Sequence, residues 1–325
     1  MVKTIYIANL KAGDYLENEP FLLVDVARRT TRDGRPYLLY TLRDKTGQIN
    51  GVFWDVPEYI DNWAQAGLGV LVTGRVTNYK DALQIAATDF HIIHNPDLTE
   101  FLPSSRRSRQ EMLAELHQIV SELNEPWQSL VSHILLQEPF LTQFANAPAA
   151  RNMHHAFIGG LLEHTLSMAA IAKKLAEHYP YVNKDLLLAG VLLHDMGKTA
   201  EYTTDGAFAY TEDGLLVGHI IRAIAMIERA AAQLGTVSEE DLRHLVHLVA
   251  SHHGTLEWGS PVTPKTLEAI LLHQIDLLDS RVQGFFDHLK NDTGGEDWTA
   301  RYSPMFNTML RRPAGYDEGE ETAES

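Results

Sequence analysis

Over the first ~95 residues the apolar side chains come in short runs, rich in β-branched and aromatic types, separated by charged or glycine-bearing segments. Residues 21–26, 37–42 and 49–54 read as strands; a charged stretch at 28–35 precedes the second, and Asp44-Lys45-Thr46-Gly47 forms a turn before the third. Residues 57–66 have helical spacing, with Tyr59, Ile60 and Trp63 able to share a face, and 70–76 and 83–93 return to strand character. Three strands, a helix and two further strands predict a small all-β Greek-key barrel of the OB type over 1–95. Pro103, Ser104, Ser105 and Ser108, interleaved with Arg106, Arg107 and Arg109, predict a linker over 96–110.

Beyond that point the period lengthens to three and four. Helices are predicted over 112–123, 126–136, 160–178, 184–196, 214–234, 239–252 and 264–289, within an all-α domain spanning 111–313. Gly197 is expected to stop the fourth of these as a left-handed C-cap. The acidic tail 314–325 is expected to be disordered. The fold class is therefore multidomain, an OB-type barrel followed by a helical bundle.

Composition narrows the function classes. The 325 residues are 45% hydrophobic and 22% charged, which suits two globular units and excludes a fibrous or largely disordered chain. No run approaches the ~20 apolar residues of a membrane span, and the N-terminus meets charge too early for a secretory signal. The chain has no cysteine, so disulfides, thiolate zinc sites and a cysteine nucleophile are excluded; a cytoplasmic location without membrane contact is expected. The net charge of −16 argues against indiscriminate nucleic-acid binding. Residues 1–95 contribute only −1 of it, however, and metal ions can supply positive charge where side chains do not.

Histidine placement carries the chemistry. Eleven of the sixteen histidines lie between His154 and His273. His194-Asp195 ends the aliphatic segment KDLLLAGVLLHDMGK, His164 and His219 sit in apolar helical segments, His252-His253 closes another, and Asp276 stands among leucines. A buried His-Asp pair is either a satisfied hydrogen bond or a pair of ligands to an ion. Repetition of the pattern in five segments favours ligands. In the barrel, single-strand binding would use aromatics and arginines drawn from Tyr37, Tyr40, Phe53, Trp54 and Tyr79 with Arg28, Arg29, Arg32, Arg35, Arg43, Arg75 and Lys80. Alternation turns about half of these aromatics into the core, and Arg32 and Arg35 on the charged hairpin are the favoured phosphate contacts.

The order H…HD…H…HH…D, with the text HDMGK, resembles the HD superfamily of metal-dependent phosphohydrolases over roughly 154–281. HHAFIGGLLEHT, with an OB-like unit ahead of it, resembles the YhaM type of 3′–5′ exoribonuclease over nearly the whole chain. The resemblance implies that His164, His194, Asp195 and Asp276 hold one divalent ion. Asp195 would bridge to a second, completed by His219 and His252, with His253 a ligand or a phosphate contact. Mn²⁺ is the expected metal, with Co²⁺, Fe²⁺, Ni²⁺ or Zn²⁺ as alternatives for imidazole–carboxylate sites. Two such ions could clamp a phosphodiester and lower the pKa of a shared water towards neutrality, and the resemblance implies that the resulting hydroxide would attack phosphorus. Lys198 would neutralise a phosphate oxygen; Arg222 and Arg281 are candidate phosphate clamps, and the resemblance adds His154 and His155. The implied substrate is single-stranded RNA, with single-stranded DNA as a second candidate, cut to nucleoside 5′-monophosphates by a homo-oligomer. Hydrolysis of small nucleotides or cyclic dinucleotides, and a catalytically silent nucleic-acid binder, are the alternatives.

Overall fold

The structure is a computed structural model that describes residues 3–79, 82–94, 101–102, 105, 107–150, 157–203, 208–292 and 297–314. The tail, much of the linker and Lys80 lie outside these residues.

Five strands form a closed barrel: β1 (Tyr15–Thr30), β2 (Pro36–Asp44), β3 (Gly47–Trp54), β4 (Gly69–Tyr79) and β5 (Ala82–Ile92), with a short helix α1 (Glu58–Asp61) between β3 and β4. The order around the barrel is β1-β2-β3-β5-β4, antiparallel except for the β3–β5 pair. This is the OB arrangement the spacing predicts. β1 is much longer than expected because it pairs with both β2 and β4. Register shifts at Leu23/Asp25 and Leu16/Glu19 bend it from one partner to the other. The helical stretch at 57–66 shrinks to one turn: Ile60 enters the core, whereas Tyr59 stays exposed.

Alternation sorts the barrel's aromatics. Tyr40 and Phe53 are core residues packed edge-on against Phe90, and the Tyr40 hydroxyl donates to the Ile85 carbonyl at 2.9 Å. Gly51 is required beneath Tyr40, because a Cβ there would lie 2.0 Å from the ring. Tyr37 and Trp54 are direct partners across β2–β3, their rings 4.7 Å apart on the outer face, and Tyr79 is also exposed. At one end, buried Lys3 lies over the Phe21 ring, donates to the Pro20 carbonyl at 2.6 Å and pairs with Asp44 at 3.4 Å and Glu19 at 3.7 Å.

The rest is helical: α2 (Arg109–Ser121), α3 (Trp127–Leu135), α4 (Phe140–Asn146), α5 (Gly160–His178), α6 (Lys184–Leu193), α7 (Lys198–Glu201), α8 (Glu212–Leu216), α9 (His219–Leu234), α10 (Glu239–Ser251) and α11 (Leu267–Asn291). Asn183, Ser238 and Thr266 cap α6, α10 and α11 by accepting from the backbone N–H three residues on. Every residue of α6 from Leu186 to Leu193 is buried, so this helix is the axis around which α3, α5, α10 and α11 pack. From Leu186 to Leu193 it carries no polar side chain, so past its first turn polar side chains return only at the C-terminal end, with His194 and Asp195. The helix expected over 214–234 is two, since Gly218 at φ +75° breaks it and makes His219 the first residue of α9. Leu22 of β1, Phe101 and Leu102 of the connection and Phe208 between α7 and α8 bury one another where barrel and helices meet. No helix among the described residues is long and apolar enough to cross a membrane.

Candidate metal centre

His194 caps α6 and Asp195 follows it; His252 caps α10 and His253 follows it. His164 comes from the second turn of α5, His219 from the start of α9, and Asp276 from the middle of α11. Seven side chains from five sequence segments thus converge, and they fall into two groups. Ligand atoms of His164, His194 and Asp276 lie within 4.8 Å of one another, as do those of His219, His252 and His253.

Asp195 joins the groups. Its Oδ2 faces the first, 3.2 Å from His194 Nε2 and 3.8 Å from His164 Nε2. Its Oδ1 faces the second, 3.5 Å from His219 Nε2 and 3.6 Å from His252 Nε2. His164 Nε2 lies 3.3 Å from Asp276 Oδ1. Lys198, one turn on, donates to Asp195 Oδ2 at 2.6 Å.

The other ring nitrogen of each histidine is tied back. Nδ1 of His194 donates to the Val191 carbonyl at 2.8 Å, and Nδ1 of His252 to the Val249 carbonyl at 2.7 Å. His253 donates to the Trp258 carbonyl at 2.7 Å. His219 donates from both its backbone N and its Nδ1 to Glu201 Oε2, each at 2.6 Å. His164 Nδ1 meets Asp279 Oδ2 at 2.7 Å, and Ser167 donates to the other oxygen of Asp279. A proton fixed on Nδ1 leaves a lone pair on Nε2. Nε2 of His194, His219 and His252, together with Asp195 Oδ1, are buried without a hydrogen-bond partner. Lone pairs aimed at one another inside a protein are unfavourable unless a cation lies between them. The donor set and its orphaned atoms therefore fit divalent ions.

Electrostatics follow from the same contacts. Burial opposes charge on Asp195, but Lys198 and His194 hold its carboxyl well below the usual range. Burial likewise disfavours the Lys198 ammonium, and Asp195 outweighs it, keeping that pKa above its ordinary value. Burial, reinforced by His194, drives His252 well below the ordinary imidazole value, and burial lowers His253 too. His164 goes the other way: burial is outweighed by Asp276 and Asp279, which raise it to about 9.

Glu201, Asp279 and Ser167 escaped the sequence reading. Asp279 carries the signal that singled out Asp276, a carboxylate on an apolar helix. Gly197 is not the expected left-handed cap: its φ is −65°. It is needed for contact, since a Cβ would lie 2.1 Å from the His219 carbonyl oxygen. Arg222 is bound to Asp213 through both its Nε, at 2.9 Å, and a terminal nitrogen. Arg281 is exposed on α11, about 140° around the helix from Asp276. Arg35 pairs with Asp33 at 2.8 Å and Asp55 at 3.0 Å, and Arg32 is exposed on the same hairpin; both belong to the barrel. His154 and His155 lie outside the described residues.

Topology and site together define an OB-fold barrel joined to an HD-type helical domain. Family models agree: one described as HD domain matches residues 161–281, and one described as OB-fold nucleic acid binding domain matches 24–93. The HD domain implies dependence on divalent metal. A third, described as putative helicase, matches 96–184. The chain belongs to the YhaM family: it is 35% identical over 307 residues to the 3′-5′ exoribonuclease YhaM of Geobacillus sp. (strain WCH70), covering 90% of this chain and 94% of that protein. Among solved structures, the second OB-fold domain of replication protein A from Methanococcus maripaludis is 22% identical with a TM-score of 0.22, covering 28% of this chain and 96% of that one. A replication protein A heterotrimer bound to single-stranded DNA is 16% identical with a TM-score of 0.24, covering 38% of this chain and 30% of that one.

Proposed function

We propose that the chain is a metal-dependent 3′–5′ exoribonuclease that releases nucleoside 5′-monophosphates from single-stranded RNA, with single-stranded DNA as a second substrate. The observation that carries this reading is Asp195, whose two oxygens face separate histidine groups with buried lone pairs left unpaired. His164, His194, Asp195 and Asp276 would hold one ion, and Asp195, His219, His252 and His253 the other. Mn²⁺ is the metal best suited to this mixture of imidazole and carboxylate. Bound ions of this kind neutralise charge developing on phosphate oxygens and bring the ionisation of water towards neutral pH.

The chain's own residues do the positioning. Glu201 and Asp279 hold the imidazoles in orientation and tautomer. Lys198, charged and anchored on Asp195, offers its remaining protons to a non-bridging phosphate oxygen. On the barrel, the Tyr37–Trp54 pair gives bases an outward stacking surface, and Arg32, exposed in the β1–β2 turn, is available for the backbone. The 3′–5′ direction follows the relative's activity, in which the strand is shortened from its 3′ end. Self-association, supported by Leu278 and Val282 exposed on successive turns of α11, would multiply the barrels available to one strand. A chain without cysteine requires no oxidising compartment, in keeping with a cytoplasmic nuclease.

The test is 5′-labelled single-stranded RNA incubated with the protein and Mn²⁺. A ladder shortening from the 3′ end, with nucleoside 5′-monophosphates in solution, is expected from the unaltered protein and not from Asp195→Ala. Intact RNA alongside hydrolysis of small nucleotides would overturn the reading.

A further inference from the structure

His253 is followed by a tight turn that carries the indole of Trp258. The Thr255 carbonyl accepts from the backbone N of Trp258 and of Ser260, both at 3.2 Å, Gly259 N donates to Leu256 O at 3.1 Å, and the Ser260 hydroxyl donates to Ala250 O at 3.1 Å. The Trp258 carbonyl takes the Nδ1 proton of His253, and Gly259 leaves the turn at φ +87°. The backbone of Trp258 is thus fixed to a residue of the second histidine group.

Its side chain nonetheless stays 51% exposed. The indole centroid lies 6.2 Å from the ring of His273, which stands one turn before Asp276 on α11 and donates to the His252 carbonyl at 2.9 Å. Trp258 therefore lies between the segment that carries His252 and His253 and the helix that carries Asp276. Of the other exposed aromatics among the described residues of the helical half, Tyr179, Tyr181, Tyr210, Trp298 and Tyr302 lie outside the helices that carry the centre's residues, and Phe286 stands ten residues beyond Asp276 on α11, roughly 15 Å along that helix. A half-exposed indole on a braced turn loses little entropy when a flat group covers it. Every nucleobase has such a face, so a platform of this kind grips any sequence alike.

We propose that Trp258 is the platform on which the base of the 3′-terminal nucleotide stacks, registering the last phosphodiester at the metal centre. This deepens the exoribonuclease reading and rests on it. Unlike the barrel's Tyr37–Trp54 surface, Trp258 acts on the nucleotide being removed.

The experiment crosses two enzymes with two substrates: the unaltered chain and Trp258→Ala, each on an RNA with a normal 3′ end and on one whose 3′-terminal nucleotide lacks its base. Trp258→Ala should raise KM for the normal strand by ~10-fold or more, with kcat changed less, and Trp258→Phe should recover most of the loss. Removing the base should cost the unaltered enzyme a similar factor, and the two losses together should not multiply. A strand ending in 2-aminopurine, bound to metal-free protein, should be quenched by the unaltered chain and much less by Trp258→Ala. Equal losses for Trp258→Ala on both substrates, or an unchanged KM with unchanged quenching, would overturn the platform. Failure of the unaltered enzyme to shorten RNA at all would instead overturn the activity beneath it.

Discussion

Glu201 offers the sharpest test of how the second histidine group is built. One oxygen of this buried carboxylate accepts two hydrogen bonds from His219, from the backbone N and from Nδ1, each at 2.6 Å. Burial opposes its charge, but the contact with His219 holds its pKa below the ordinary value, so it is ionised at neutral pH. Glu201→Gln keeps an oxygen able to accept while removing the charge that makes the imidazole a better donor to a metal. Glu201→Ala removes both and leaves two N–H groups without an acceptor. Partners of this kind are worth roughly 10–100-fold in metal affinity, and a donor stripped of its acceptor costs ~1–3 kcal/mol of stability. We expect a Mn²⁺ titration followed by calorimetry or electron paramagnetic resonance to become biphasic. The ion at His164, His194 and Asp276 should bind nearly as before, and the ion at His219, His252 and His253 more weakly, by ~10-fold for Gln and ~100-fold for Ala. Excess Mn²⁺ should restore much of the lost activity. A Glu201→Ala protein that is folded and titrates like the unaltered chain would refute the reasoning.

Three further outcomes are expected. With its pKa at about 9 in the metal-free chain, His164 carries a proton at neutral pH that a metal must displace. Affinity at that site should therefore rise by up to tenfold per pH unit between about 7 and 9 and level off above, with about one proton released per ion, read from calorimetry in buffers of different ionisation enthalpy. The same raised pKa stabilises the metal-free fold fully below the unfolded value of ~6.5, and this contribution fades as pH climbs through about 9; a melting temperature insensitive to pH across that window would contradict it. Gly197→Ala places a methyl 2.1 Å from the His219 carbonyl oxygen and 3.0 Å from Ala223 N. Displacing the start of α9 should cost ~1–3 kcal/mol in chemical denaturation and weaken Mn²⁺ at the second group; a protein as stable as the original would count against the close approach.

Much of this molecule can be read from its sequence, for identifiable physical reasons. The strand pattern and the single helix before the fourth strand suffice for the OB topology. α5 comes out residue for residue because its apolar spacing is uninterrupted between Gly160 and His178. The failures lie where tertiary contacts override local pattern. Apolar spacing runs straight through Gly218, so α8 and α9 read as one helix, yet the positive φ there is what makes His219 a helix-initiating residue. α4 is seven residues long, too short for periodicity to announce it. At the site, His164, His194, Asp195, His219, His252, His253 and Asp276 stand out as polar residues in apolar helical segments. Their supports do not. Asp279 reaches His164 across 115 residues, a pairing that no local spacing encodes. Arg222 shows the converse, since a cation one turn from His219 invites a phosphate role while its guanidinium is already engaged by Asp213.

The backward hydrogen bonds of His194 and His252 have a consequence for engineering. Each imidazole satisfies a carbonyl in the last turn of its own helix, Val191 for α6 and Val249 for α10, so each residue is at once a helix terminator and a donor to the centre. In the proposed coordination, replacing either one would fray a helix end as well as remove a ligand. Metal preference is therefore hard to retune there, and a directed search for a different ion should vary Asp276 or His253 first, leaving the two terminators in place.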